Sequence, residues 1–150
     1  MSWNDLRKGR YSKNNVEYFI TFNTRNRLPI FNNFHLAQLF CQQIQNNEDK
    51  HHCTWLTWVL MPDHFHGLLQ LNENATSLAK IIGELKGNTA RAINSTLNNR
   101  GALWQPSYYD HALRQEEHRI NIARYIVANP LRKKLVKNIK DYPFWNSVYL

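Results

Sequence analysis

Trp58-Val59-Leu60-Met61-Pro62-Asp63-His64-Phe65-His66-Gly67-Leu68-Leu69-Gln70-Leu71 decides the fold. Apolar runs over 55–60 and 67–71 flank the Met61-Pro62-Asp63 break, which predicts two consecutive strands over 51–60 and 65–71, paired antiparallel around the turn. His64 and His66 stand near the start of the second strand. In an extended chain residues i and i+2 point the same way, so the two imidazoles share one face. Such a pair can give two nitrogen ligands to a divalent metal and leave positions for water, a third ligand or a phosphate oxygen. With seven histidines in 150 residues, chance supplies roughly 0.3 His-x-His pairs per chain. The spacing alone therefore fits a structural pair equally well.

Outward from this hairpin, residues 16–24 have the β-branched and aromatic composition of a strand. Asn33 is placed to cap a helix over 34–47 with Leu36, Leu39, Phe40 and Ile44 on one side. A second helix is predicted over 77–97, burying Leu78, Ile81, Ile82, Leu85 and Ile93. A turn at Asn98-Asn99-Arg100-Gly101 leads to an extended segment broken at Pro106, with a fourth strand over 109–114. A third helix follows over 116–128 through Ile120, Ala123, Ile126 and Val127, and Pro130 stops its regular continuation. The order β-α-β-β-α-β is the ferredoxin-like split pattern, an α+β fold with two helices on one face of an antiparallel sheet. One helix is added at the C-terminal side. A single domain is expected over 1–150, with a basic arm over 1–15 (Arg7, Lys8, Arg10, Lys13), a core over 16–136 and a tail over 137–150. The tail's Tyr142-Pro143-Phe144-Trp145 is expected to pack back onto the core.

Nineteen Lys and Arg against 11 Asp and Glu give a formal charge of +8, which favours an anionic partner such as nucleic acid or an acidic surface. A hydrophobic content of 43% with 13% aromatics argues against disorder. Cys41 and Cys53 form neither a metal knuckle nor a disulfide framework, which points to a reducing compartment. No apolar stretch reaches the ~18 residues of a membrane span, and the N-terminus lacks an apolar signal core. A soluble intracellular protein with no membrane partner is expected.

Tyr125 and Asn129, four positions apart on a helix, share a face. If that face meets the strand bearing His64 and His66, the site gains a phenol nucleophile and a third metal ligand in the Asn129 oxygen. Those pieces suit phosphoryl transfer, with Tyr125 attacking phosphorus. A phenol with an ordinary pKa of about 10 needs a metal or a base to help it. Read singly, Tyr125 is a half-buried helix aromatic, and Asn129 is a helix terminator before proline. His111 could assist the site or bind DNA, and a hydrogen-bonded structural histidine fits equally well. His51-His52, after the charged residues Glu48, Asp49 and Lys50, is expected to be exposed and without chemistry. Lys80, Lys86, Arg91, Arg114, Arg124, Arg132, Lys133 and Lys134 are candidates for a phosphate-binding surface, with Trp104, Tyr108 and Tyr109 to stack on unpaired bases.

Four segments together are specific. They are Met61-Pro62-Asp63-His64-Phe65-His66-Gly67-Leu68-Leu69, Ile82-Gly83-Glu84-Leu85-Lys86-Gly87-Asn88-Thr89-Ala90-Arg91, Leu103-Trp104-Gln105-Pro106-Ser107-Tyr108-Tyr109-Asp110-His111-Ala112-Leu113-Arg114 and Tyr125-Ile126-Val127-Ala128-Asn129-Pro130-Leu131-Arg132. In order and spacing the chain resembles the HUH-superfamily single-strand DNA transposases with one catalytic tyrosine, and within them the REP-associated tyrosine transposases. The resemblance implies a ferredoxin-like catalytic domain with Mg²⁺ or Mn²⁺ at His64 and His66, and makes the added helix the catalytic one. It implies a covalent 5′-phosphotyrosine at Tyr125 and a released 3′-hydroxyl, so that strands are cut and rejoined without ATP. The expected partner is single-stranded DNA with an adjacent hairpin, in a bacterial cytoplasm at the nucleoid. Lys86, Arg91, Arg114, Trp104, Tyr108, Tyr109 and Arg132 are the expected DNA-binding residues. Two departures stand out: Asp63 where the family often has Asn, and Arg132-Lys133-Lys134-Leu135-Val136 in place of Arg-Ala-Gly-Leu-Val. Neither removes a ligand or the nucleophile. Monomer and homodimer both fit, with Tyr125 supplied in cis or in trans. The rival readings are a non-cleaving binding module for structured single strands and, less well supported by its ligands, a zinc hydrolase.

Overall fold

Alternation along the strand that carries the histidines sets up two different faces. The computed structural model describes residues 16–114 and 118–150. Its elements are β1 (Glu17–Asn23), α1 (Phe34–His51), β2 (Cys53–Met61), β3 (His64–Leu71), α2 (Leu78–Leu97), β4 (Tyr109–Ala112), α3 (Arg119–Val127), α4 (Asn129–Arg132) and β5 (Trp145–Ser147). The sheet order is β4-β1-β3-β2-β5, and every neighbouring pair is antiparallel. The α+β ferredoxin-like expectation holds, with β5 as an unforeseen fifth strand. The expected basic arm over 1–15 lies outside the described residues. Among those described, no helix is long and apolar enough to cross a membrane.

One sheet face presents Tyr18, Ile20 and Phe22 from β1 and Phe65, Leu69 and Leu71 from β3 to the buried side of α1 and α2. Both helices start where side-chain oxygens satisfy free backbone N–H groups: Asn33 Oδ1 accepts from Leu36 N at 3.2 Å, and Ser77 Oγ accepts from Lys80 N at 3.2 Å. Gly67 is needed on this face for a close approach. A Cβ there would lie 2.7 Å from the Trp55 ring and 2.9 Å from Phe65. The register shifts between Trp55 and Thr57, a β-bulge that turns Leu56 toward the opposite face.

That opposite face holds Leu56, Val59, Met61 and Leu68, packed with Ile126 of α3 and partly covered by Phe19, Ile122 and Trp145. β3 residues 64, 66 and 68 share it by alternation. Ile126 packs with Leu68, while the His64–His66 end opens into a cavity. Arg119 Nε donates to Glu17 Oε2 at 2.5 Å and fixes the start of α3 to β1. The tail packs back as expected: Leu60 N donates to Phe144 O at 2.9 Å, Val148 N to Leu56 O at 2.8 Å, and the Tyr142 hydroxyl to Leu60 O.

Two expectations are corrected. His51 closes α1 instead of opening β2, and it is only 1% exposed. It continues the buried stripe Phe40, Ile44, Asn47, which advances in helical steps of four and three. Its Nδ1 meets Thr76 Oγ1 and its Nε2 meets Glu84 Oε2, each at 2.7 Å. His52 is exposed and takes the left-handed turn, φ 53°. The third helix ends at Val127, and Pro130 belongs to a new helical turn, α4, with Ala128 at the joint. Proline lacks the N–H that a first turn does not use, so it starts this turn instead of only ending its predecessor.

Candidate active site

Each histidine of the pair is held through Nδ1. His64 Nδ1 lies 2.7 Å from Asp63 Oδ1, and His66 Nδ1 lies 2.7 Å from Thr21 Oγ1 across the β1–β3 pairing. The rings stand 4.6 Å apart, centroid to centroid, at 77°. Burial disfavours the charged imidazolium and depresses both pKa values, that of His66 to about 3. For His64, burial outweighs the opposing pull of the Asp63 carboxylate. Neutral imidazoles are the form that can donate a lone pair to a metal.

The α3–α4 joint brings the other two residues to the pair. Asn129 is buried, and its Nδ2 is 3.4 Å from His64 Nε2. Tyr125 is 55% exposed, so its ring is free of the core. The Arg132 guanidinium sits 3.9 Å from the Tyr125 ring centroid, and its Nη1 donates to the Tyr125 carbonyl at 2.7 Å. Thr21, Asn23, Arg27, His64, His66, Tyr125, Asn129, Arg132 and Lys133 line one cavity of about 430 Å³. Three of these side chains are cationic, which suits an anionic ligand. Two neutral imidazoles and an amide oxygen form a donor set that fits a divalent cation such as Mn²⁺. Among the described residues no cluster of three or more His, Cys, Asp and Glu adds a rival centre.

His64, His66, Tyr125, Asn129 and Arg132 thus come together in one chain. Other expected residues do not join them. Trp104 is 6% exposed, packs against Phe22, Phe31 and Phe40, and donates Nε1 to Lys86 O at 3.2 Å. It is a core aromatic and offers no stacking surface. Tyr108 packs against the same core. Lys86 donates Nζ to Gln105 O at 2.9 Å and to Ser107 O at 2.8 Å, bracing the loop ahead of β4. Arg91 is exposed on α2, which covers the other face of the sheet, and pairs with Asn88. Tyr109 is 58% exposed and lies opposite Thr21, on the histidine face. His111, opposite Phe19, shares that face but does not line the cavity. Arg114 is exposed just past β4.

Thr21, Asn23 and Arg27 were not singled out in the sequence. Thr21 meets His66 only through strand register, and no local pattern announces it. Arg27 enters from the turn after β1, and no local pattern announces that its side chain returns to the site.

The arrangement has known relatives. The family model described as "Transposase IS200 like" matches residues 12–129, and the chain belongs to that family. A REP-associated tyrosine transposase of Escherichia coli is 31% identical over 87 residues, 58% of this chain and 50% of that protein. The chain spans about half the length of the curated relatives it matches. A solved REP-associated tyrosine transposase bound to a REP hairpin superposes with a TM-score of 0.77 at 26% identity, covering 91% of this chain and 79% of that one.

Proposed function

We propose that this chain cuts and rejoins single-stranded DNA beside a hairpin, with Tyr125 as the nucleophile. The observation that carries the reading is the meeting of Tyr125, Asn129, His64 and His66 in one cavity of one chain. The hairpin-bound neighbour supports the class of substrate. Arg27, Arg132 and Lys133 would receive the phosphate, and Arg132 would orient the Tyr125 ring through cation–π stacking. The phenolic oxygen forms a bond to phosphorus while the bond to the 3′-oxygen breaks, and the proton leaving Tyr125 is balanced by one taken up at the 3′-oxygen. The product is a 5′-phosphotyrosine beside a free 3′-hydroxyl. Attack by a 3′-hydroxyl reverses the step, so the phosphoester energy is conserved and no ATP is needed. His64, His66 and Asn129 Oδ1 would hold Mg²⁺ or Mn²⁺, which when bound stabilises charge on the phosphate. Asn129 reaches this role by turning its amide, because Nδ2 now faces His64. Bacterial DNA in the cytoplasm is the setting we assign. One chain holds every proposed catalytic group, so a monomer suffices.

The test is incubation of the protein with hairpin-bearing single-stranded DNA and Mn²⁺ or Mg²⁺, followed by denaturing electrophoresis. A covalent protein–DNA adduct should form and should disappear in Tyr125→Phe. The exposed ring makes that variant as stable as the parent to within about 0.5 kcal/mol. An adduct that persists in Tyr125→Phe overturns the assignment.

A further inference from the structure

The residue before the histidine pair has both carboxylate oxygens engaged, and neither is turned to the cavity as a ligand. Asp63 Oδ1 meets His64 Nδ1 at 2.7 Å, and Asp63 Oδ2 accepts from Arg27 Nε at 2.9 Å. The Asp63 backbone is clamped from the same side, because its carbonyl accepts from Thr24 N at 2.9 Å and Thr24 Oγ1 at 3.1 Å. The intervening turn holds Asn26 and Arg27 in the left-handed region, at φ 56° and 55°. That region is unfavourable for L-residues, less so for Asn, and here it returns Arg27 to Asp63.

An ionised carboxylate can only accept hydrogen bonds. The Asp63 contact therefore requires the His64 proton on Nδ1 and leaves the lone pair on Nε2, the atom that faces Asn129. The contrast with His66 is chemical. Its partner is the Thr21 hydroxyl, which both donates and accepts and so orients the ring without choosing its tautomer.

We propose that Arg27 and Asp63 form a positioning relay that locks His64 as the Nδ1–H tautomer with Nε2 directed into the cavity. Asp63 acts through His64 and does not touch the substrate. A carboxylate behind a metal-binding imidazole raises its basicity and fixes its orientation, and loss of such a partner typically weakens metal affinity 10–100-fold. This consequence rests on the metal-binding reading of the pair, whereas the tautomer does not.

Two measurements on the full chain separate these claims. In metal-free protein labelled with ¹⁵N-histidine, long-range ¹H–¹⁵N spectra at neutral pH should show His64 as the Nδ1–H form. Asp63→Ala should convert it to a mixture or to Nε2–H, and Asp63→Leu, similar in shape and without an acceptor, covers the case in which the alanine variant fails to fold. Mn²⁺ titration followed by electron paramagnetic resonance should show 10–100-fold weaker binding in Asp63→Ala. An unchanged His64 tautomer in the folded variants overturns the relay, and an affinity unchanged from that of a parent that binds Mn²⁺ overturns its effect on the metal site. A tautomer that shifts as expected in a protein whose parent does not bind Mn²⁺ upholds the lock and defeats the metal reading alone.

Discussion

Asn129 Nδ2 stands 3.4 Å from His64 Nε2, a contact across 65 positions of sequence. The amide donates toward the imidazole lone pair, and a half-turn of the same side chain would present its oxygen instead. Removing the amide should therefore affect cation binding more than folding. Asn129→Ala is expected to weaken Mn²⁺ binding at least about tenfold, and Asn129→Asp should restore it by offering a carboxylate oxygen. Calorimetric titration with Mn²⁺ checks both, and equal affinity in all three proteins would remove Asn129 from the site.

Arg132 was expected to bind DNA, and the structure places it 3.9 Å from the ring centroid of Tyr125, the proposed nucleophile. Lysine keeps the charge but loses the planar stack and the fork of donors. Arg132→Lys should slow adduct formation roughly tenfold, the equivalent of about 1.4 kcal/mol, with a smaller change in DNA affinity. Single-turnover cleavage beside a binding isotherm separates the two effects. A variant that loses affinity and keeps its rate would return Arg132 to simple phosphate binding.

Gly67 tests the packing beneath the site. A methyl group there must displace the Trp55 ring, 2.7 Å from the Cβ position, or bend β3. Overpacking of this kind costs about 1–3 kcal/mol, so Gly67→Ala should lower the unfolding free energy by that amount, read as a lower denaturation midpoint. A wild-type midpoint would mean that Trp55 moves aside freely.

Acid should destabilise the protein through His66. Its folded-state pKa is depressed to about 3 from an ordinary 6.5, first by burial and then by nearby positive charge. Below pH 6.5 the unfolded chain binds a proton that the folded chain refuses, so this contribution is full above 6.5 and is lost as the pH falls toward 3. Urea denaturation of metal-free protein between pH 7 and pH 4 should show falling stability. His66→Asn should flatten that slope, and an unchanged slope would mean that other groups carry it.

The fold was legible because its signals are local. Asn33 caps a helix as side-chain chemistry demands, and the Met61-Pro62-Asp63 break separates two apolar strands. β5 was not legible, since three residues with one buried position carry no periodicity. His51 was misplaced because its charged neighbours conceal a stripe visible only when α1 is followed to its end. Trp104 was assigned to DNA because composition cannot distinguish an aromatic that stacks on bases from one that fills a core.

The sequence by itself determined β1 to β4 and α1 to α3, the shared face of His64 and His66, and the kinship that singles out Tyr125 and Asn129. Alternation on a strand, capping and motif order are properties of neighbours along the chain. Tertiary structure alone decided that α3 packs on the histidine face of its own sheet, so that one chain brings Tyr125 and Asn129 to the pair. It also decided that Arg27 returns to Asp63 and that Thr21 holds His66. Those contacts depend on strand register, on a left-handed turn and on burial of Ile126 against Leu68, and each is settled only when distant segments compete for the same apolar surface.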